Sequence, residues 1–159
     1  MTDYDKIKAD VEAKLDEFRI AYNVRYLCET VRDGNWKCDH FRVSFNSYET
    51  DYYTGLGHRK PRKGAGKNPY NPRIIAHEEW EKQSLIVVKP RAADVLRSLL
   101  MDAEAMDTSF HDWCDECGYD TDSLKARNTY DACCEIGIEM RSIFTHAQRK
   151  ELQELVQDL

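Results

Sequence analysis

The sequence contains no apolar run approaching the roughly 20 residues that a membrane-spanning helix needs. Its first ten residues, MTDYDKIKAD, lack the apolar core of a secretory signal peptide. Proline and glycine are scarce, with 4 and 7 in 159 residues, whereas hydrophobic residues make up 42%. We therefore expect no membrane partner and a soluble cytoplasmic protein with a packed core, built as one domain or two small lobes.

The common fingerprints of enzymes are also missing. There is no P-loop, nucleophile elbow or dinucleotide motif, and His77-Glu78-Glu79-Trp80-Glu81 lacks the second histidine of a zinc hydrolase helix. Cys38, Asp39 and His40 have the chemistry of a nucleophilic site, but strand alternation turns Asp39 away from the other two. We therefore expect no enzyme activity, no cofactor and no small-molecule substrate.

The six cysteines allow a metal hypothesis. Without a secretory signal the compartment is expected to be reducing, so disulfides are not expected. His111-x-x-Cys114-x-x-Cys117 has zinc-ligand spacing, and the fourth ligand could be Cys28, Cys38, Cys133 or Cys134. Both cysteines of that motif fall on the apolar face of a predicted helix, so core packing is favoured and a small zinc protein is the third hypothesis.

The charge is distributed unevenly. Residues 1–98 carry 15 acidic and 18 basic residues, a net of +3, whereas residues 99–159 carry 14 and 5, a net of −9. The acidic half is either an ordinary solvated helical exterior or a surface that mimics a phosphate array.

The periodicity of the chain predicts an α+β fold. Thr2 and Asp5 form a capping box before an amphipathic helix, and alternating segments 24–31, 36–45 and 48–53 predict three antiparallel strands, with a turn at 33–35. We expect the helix to cover one side of this sheet, with Phe41, Val43 and Phe45 on its core face. About four helices follow Pro90, with a cap at Ser109, a stop at Gly118, the longest helix from Thr121 or Asp122, and a cap at Thr145. The expected division is 1–57 for helix and sheet, 58–89 for a basic loop or insertion, and 90–159 for an acidic bundle.

The middle segment breaks all periodicity. Residues 58–73 hold three of the 4 prolines and six basic residues with no acidic residue between them. They predict a loop that is either simply solvated or able to contact phosphates and stack bases. The second reading uses flanking tyrosines; its residues are Arg59, Lys60, Arg62, Lys63, Lys67, Tyr52, Tyr53 and Tyr70. Residues 74–89 are ambiguous, with a helical turn at 77–82 and a buried strand at 84–89 as candidates.

Several sequence segments resemble those of a family of small proteins encoded by bacteriophages and prophages. They are WKCDHFRVSF, DYYTGLGHRK, PRAADVL, FHDWCDECGYDTDS and NTYDACCE. The resemblance covers the strands through Lys60 and then Pro90 to about Glu135, whereas 64–84 looks like an insertion and Cys117 replaces a typically apolar residue. The family carries no established activity, so no catalytic residue is transferred.

The resemblance to phage proteins implies a protein that acts by binding a macromolecular complex of the host, as anti-CRISPR proteins do. The leading hypothesis is a stoichiometric inhibitor whose acidic surface meets a basic groove on a host nuclease or ribonucleoprotein surveillance complex. Its predicted contact residues are Asp102, Glu104, Asp112, Asp115, Glu116, Asp120 and Asp122. The alternative is a nucleic-acid-binding module that uses the basic loop.

Overall fold

The computed structural model describes residues 2–32, 36–59, 61–85 and 87–159, and their side chains except those of 30–32, 36–37, 56–59 and 84. The strands form one antiparallel sheet in the order β1-β2-β3. The predicted α+β architecture, with a helix, three antiparallel strands and four further helices, is confirmed. The elements are α1 (Asp3–Glu17), β1 (Tyr22–Arg32), β2 (Trp36–Phe45), β3 (Tyr48–Arg59), α2 (His77–Ser84), α3 (Ala92–Ala103), a 3-10 turn (Glu104–Asp107), α4 (Phe110–Cys117), α5 (Leu124–Ile143) and α6 (His146–Val156).

The chain contacts divide the protein into two compact units. The helical unit comprises Met1–Tyr22, Phe45–Tyr48 and Arg91–Leu159, and the sheet unit comprises Asn23–Ser44 and Glu49–Pro90. This division differs from the three consecutive segments expected from the sequence, because α1 packs against α3 and α6. A bidentate pair between Arg91 and Glu12, with N–O distances of 2.9 and 2.8 Å, joins α3 to α1.

Local signals set most of the helix boundaries. The capping boxes at Thr2 and Thr145 are confirmed, as are the Ser109 cap and the left-handed Gly118 that ends α4. The predicted start of α5 is wrong by two or three residues, because the helix begins at Leu124 after the Ser123 hydroxyl, which caps it by accepting the Ala126 N–H.

One side of α5 is buried against the rest of the helical unit. Met140 and Ala126 are fully buried. Gly137 faces the 3-10 turn so closely that an added Cβ would lie 2.5 Å from Met106 Cγ and 3.1 Å from the Ala103 carbonyl oxygen. A side chain at this position would require the Met106 side chain to move and the Ala103 carbonyl to shift slightly.

The predicted core face of β2 is also confirmed. Phe41, Val43 and Phe45 are each no more than 1% exposed. Asp39 shares their face and is buried, and its carboxylate accepts a hydrogen bond from the Tyr26 hydroxyl at 3.4 Å. Tyr26 also packs edge-on against Phe41, which completes this side of the β1–β2 pair.

Two predictions in the middle of the chain are wrong, and one is not covered. Strand β3 continues to Arg59 rather than ending at residue 53, because pairing with β2 outweighs the low strand propensity of Gly55 and Gly57. Helix α2 occupies 77–84, and the described residues after it are irregular, with Leu85 83% exposed instead of lying in a buried strand. The predicted turn at 33–35 lies outside the described residues.

Among the helices described, none combines the length and apolar composition needed to cross a bilayer.

Candidate functional site: the acidic edge of helix α4

Helix α4 separates apolar from acidic side chains with the period of an α-helix. Trp113 and Cys114 are buried on one side, at 8% and 0% exposure. The two positions before this pair and the two after it face water, and they are His111, Asp112, Asp115 and Glu116. The sequence of α4 therefore points its carboxylates outward by burying its aromatic side.

A cluster of aromatic rings fixes α4 on α5. The ring of Trp113 stacks on Tyr119 with centroids 5.2 Å apart, and Tyr130 of α5 lies 5.3 and 5.4 Å from Phe110 and Trp113. The Tyr130 hydroxyl donates to the Thr108 carbonyl oxygen at 2.7 Å, just before α4 begins. Each ring pair contributes about 0.5–1.5 kcal/mol beyond its buried area, so the acidic side of α4 is held on a rigid base.

Five of the predicted carboxylates follow one another along α4 and the turn after it. We call them the acidic edge: Asp112, Asp115, Glu116, Asp120 and Asp122. All five are exposed, and within the described residues none lies within 4 Å of a lysine or arginine nitrogen. The turn is ordered, because the Asp120 carboxylate accepts the Asp122 N–H at 3.1 Å.

The other two predicted acids belong to different elements. Asp102 lies near the end of α3, where partial loss of hydration raises the pKa of its carboxyl although the residue remains exposed. Glu104 lies in the 3-10 turn and lines a cavity of about 170 Å³ together with Arg141, His146 and Arg149. Neither belongs to the acidic edge.

Among the described residues, the predicted zinc ligands are not brought together. Cys114 is enclosed by the aromatic cluster, and burial raises the pKa of its thiol. Cys117 is exposed rather than buried, because it is the last residue of α4 before the left-handed turn at Gly118. In the described chain, the three residues placed to share a cation are instead His111, Asp112 and Asp115, whose ligand atoms lie within 4.8 Å of one another. All three are exposed, as acidic groups often are without an ion, so they do not identify a metal site.

The remaining thiols are held in different surroundings. Burial raises the pKa of Cys133 to about 11. Cys133 and Cys134 pack against the aromatic cluster, Cys38 is partly buried and Cys28 is exposed. Core packing therefore accounts for the α5 pair.

The basic residues predicted for nucleic acid lie on the sheet unit and do not all belong to one loop. The backbone of Arg59 is part of β3, and Lys60 lies outside the described residues. Tyr52 is half-buried, and Tyr53 stacks on His40 with ring centroids 4.5 Å apart. Four of the predicted residues lie in the loop with exposed side chains, and they are Arg62, Lys63, Lys67 and Tyr70.

One polar cluster was not predicted. On the face of β2 opposite Phe41, His40 Nε2 lies 3.0 Å from Asp51 Oδ1 of β3, and Arg42 Nη2 lies 3.2 Å from the same oxygen. The hydrogen bond to His40, followed by the one to Arg42, lowers the pKa of Asp51. Strand alternation predicts that His40 and Arg42 share one face of β2. That Asp51 lies beside them depends on how β3 is aligned with β2, which neither segment alone determines. The cluster joins β2 to β3 across their polar face.

Comparison of the chain with models of known protein families, with curated proteins and with solved structures found no match.

Proposed function

We propose that the chain is a phage-derived accessory protein that binds stoichiometrically to a host nuclease or surveillance complex. In this proposal it is a counter-defence protein of the anti-CRISPR type, active in the cytoplasm of the bacterial host. The acidic edge enters a basic groove that normally holds nucleic acid. The observation that carries the proposal is the set of five exposed carboxylates with no lysine or arginine within 4 Å among the described residues.

The position of two of these charges, those of Asp115 and Glu116, supports a role outside folding. The carbonyl end of a helix carries a partial negative charge, so acids there are unfavourable by about 0.3–1 kcal/mol each. Asp115 and Glu116 lie in the last turn of α4, which has no basic residue. Their charges oppose the stability of the helix, which is the pattern expected of residues retained for binding.

The spacing along the edge also suits a groove that binds phosphates. Carboxylates at 112, 115 and 116 share the outer side of α4, and those at 120 and 122 continue from its end. Complementary charge of this kind speeds encounter and determines which partner is bound. A groove lined with lysine and arginine supplies that complement.

The test uses purified CRISPR surveillance complexes and a matched pair of variants. The edge variant combines Asp115→Lys, Glu116→Lys, Asp122→Lys and Asp120→Asn, because asparagine retains the acceptor oxygen in the turn. The control makes the same change in net charge at exposed acids elsewhere in the helical unit, with Glu135→Lys, Glu139→Lys, Glu154→Lys and Asp158→Asn.

We expect the wild type and the control to co-purify with a complex in 1:1 ratio and to displace its target DNA. The edge variant should do neither while keeping a cooperative unfolding transition. Binding that survives in the edge variant would refute the acidic-edge mechanism. Failure of the wild type to bind any complex in a panel covering the known types would refute the counter-defence role.

A further inference from the structure

The basic loop of the sheet unit contains a small repeated turn. In the sequence NPYNPR, residues 68–73, two Asn-Pro steps follow each other directly. Asn68 Oδ1 accepts the Tyr70 N–H at 2.9 Å, and Asn71 Oδ1 accepts the Arg73 N–H at 3.0 Å. The two turns therefore have the same construction, and they place Tyr70 and Arg73 at equivalent positions three residues apart.

Backbone hydrogen bonds close this segment on itself. The Asn71 N–H donates to the Asn68 carbonyl at 3.4 Å, and the Ile74 N–H donates to the Asn71 carbonyl at 3.1 Å. The Asn68 N–H then donates to the Ile74 carbonyl at 3.4 Å, which joins the two ends. Proline at the second position of each turn fixes φ there, so the segment is preorganised.

A third turn, at residues 62–65, connects this segment to α2. The Ala65 N–H donates to the Arg62 carbonyl at 2.9 Å, and Gly64 at the third position has φ +82°, a conformation that favours glycine. The Ala65 carbonyl then accepts the His77 N–H at 3.0 Å, at the start of α2. Lys63 lies at the tip of this turn, with Arg62 beside it.

The side chains on this framework are of the types, aromatic and basic, that proteins use to bind single-stranded nucleic acid. Tyr70 is 95% exposed, so both faces of its ring are open to water. Arg62, Lys63 and Lys67 are exposed, and in the described chain no carboxylate lies within 4 Å of their charged groups. The sequence has no acidic residue from 52 to 77. A preorganised aromatic ring surrounded by cations is suited to a stacked base with phosphates on either side.

We propose that residues 61–76 form a binding site for single-stranded nucleic acid, with Tyr70 as the stacking residue and Arg62, Lys63 and Lys67 as phosphate contacts. An exposed ring on a turn can stack on an unpaired base, whereas a duplex keeps its bases stacked on each other. The site lies in the sheet unit and shares no residue with the acidic edge, so this proposal and the proposed function fail or succeed separately.

The test is fluorescence anisotropy with labelled dT12, U12 and a 12-base-pair duplex, from 50 to 200 mM salt. Three phosphate contacts predict a log–log salt slope of about −2 for the single strands, since each contact contributes about −0.7. Tight binding to either single strand supports the proposal, and the two probes show whether DNA or RNA is preferred. Absence of binding at 50 mM salt, or tighter binding to the duplex, would overturn it.

Three variants separate stacking from charge. Tyr70→Ala should weaken binding about tenfold or more without changing the salt slope, because stacking on an aromatic ring contributes about 1–3 kcal/mol per base. Lys67→Ala should instead reduce the magnitude of the slope by about 0.7. Tyr4→Ala is the matched control, since Tyr4 is a tyrosine of α1 that is 59% exposed. Equal affinities for Tyr70→Ala and Tyr4→Ala would refute the stacking role, and the exposure of both rings makes loss of folding an unsuitable explanation.

Discussion

Replacing Glu116 with lysine should make the protein more stable and a poorer binder. Glu116 is one residue from the end of α4, where the Gly118 N–H closes the helix on the Cys114 carbonyl. Reversing its charge removes an unfavourable interaction with the helix dipole and creates a favourable one, together about 0.6–2 kcal/mol. It also converts repulsion from Asp112, four residues earlier, into attraction, which adds about 0.4–1 kcal/mol. After allowance for exposure to solvent, we expect a gain of about 1–2 kcal/mol at low salt.

The assay is thermal and urea unfolding of Glu116→Lys and Glu116→Gln in low and high salt. A gain of this size raises the Tm of a chain of 159 residues by roughly 2–8 °C. Because the effect is electrostatic, the glutamine variant should show about half of it, and 1 M salt should remove most of it in both. A lower Tm for Glu116→Lys, or a gain that does not depend on salt, would refute the argument that this carboxylate opposes folding.

Other predictions concern the helical unit. Gly137→Ala should destabilise it by about 1–2 kcal/mol in urea unfolding, because overlap with the 3-10 turn outweighs the gain of about 1 kcal/mol in helix propensity; a stabilised variant would mean that the contact is looser. Cys133, with its pKa raised to about 11, is about 0.1% thiolate at pH 8, so Ellman's reagent should modify exposed Cys117 well before it, and equal rates would contradict the burial of Cys133. Arg91→Lys loses the bidentate contact that lowers the pKa of Glu12 below its ordinary 4.5. The stabilisation from that contact is fully present above pH 4.5 and is lost as pH falls through the lowered pKa of Glu12. The wild-type advantage in urea, less than about 1 kcal/mol, should therefore be larger at pH 6 than at pH 3.

The sequence predicts best those features of the fold that depend only on residues close together in the chain. Each capping box needs only residues three positions apart, and Thr2–Asp5 and Thr145–Gln148 both form as their spacing indicates. The core face of β2 follows from alternation alone. The acidic edge is predictable for the same reason, because burial of Trp113 and Cys114 determines which α4 positions face water.

The sequence predicts poorly those features that depend on pairing between separate segments of the chain. Strand β3 crosses two glycines because it pairs with β2 along its length, a stabilisation that no single segment contains. Asp51 meets His40 only through the register of that pair. The apolar stretch after α2 has strand propensity but finds no strand neighbour among the described residues, and Leu85 is left 83% exposed.

The repeated Asn-Pro turn could have been predicted and was not. Asparagine side chains commonly accept the N–H two residues ahead, and a following proline favours the turn that this bond closes. Two such steps in succession, at 68–69 and 71–72, therefore indicate an ordered segment rather than a merely solvated loop. What the repeat does not reveal is the closing bond between Asn68 and Ile74, because that bond depends on how both turns are joined.

The net charges differ more between the two structural units than between the two parts of the sequence. Counted by unit, the helical unit carries 21 acidic and 11 basic residues, a net of −10, and the sheet unit carries 8 and 12, a net of +4. The segregation is therefore stronger between structural units than between the two parts of the sequence, because α1 joins the acidic unit. Some charge is neutralised internally, since Lys14 lies 3.0 Å from Glu151. Among the described residues, no lysine or arginine pairs with the acidic edge and no carboxylate pairs with Arg62, Lys63 or Lys67, so charge of each sign is exposed to a partner of opposite sign.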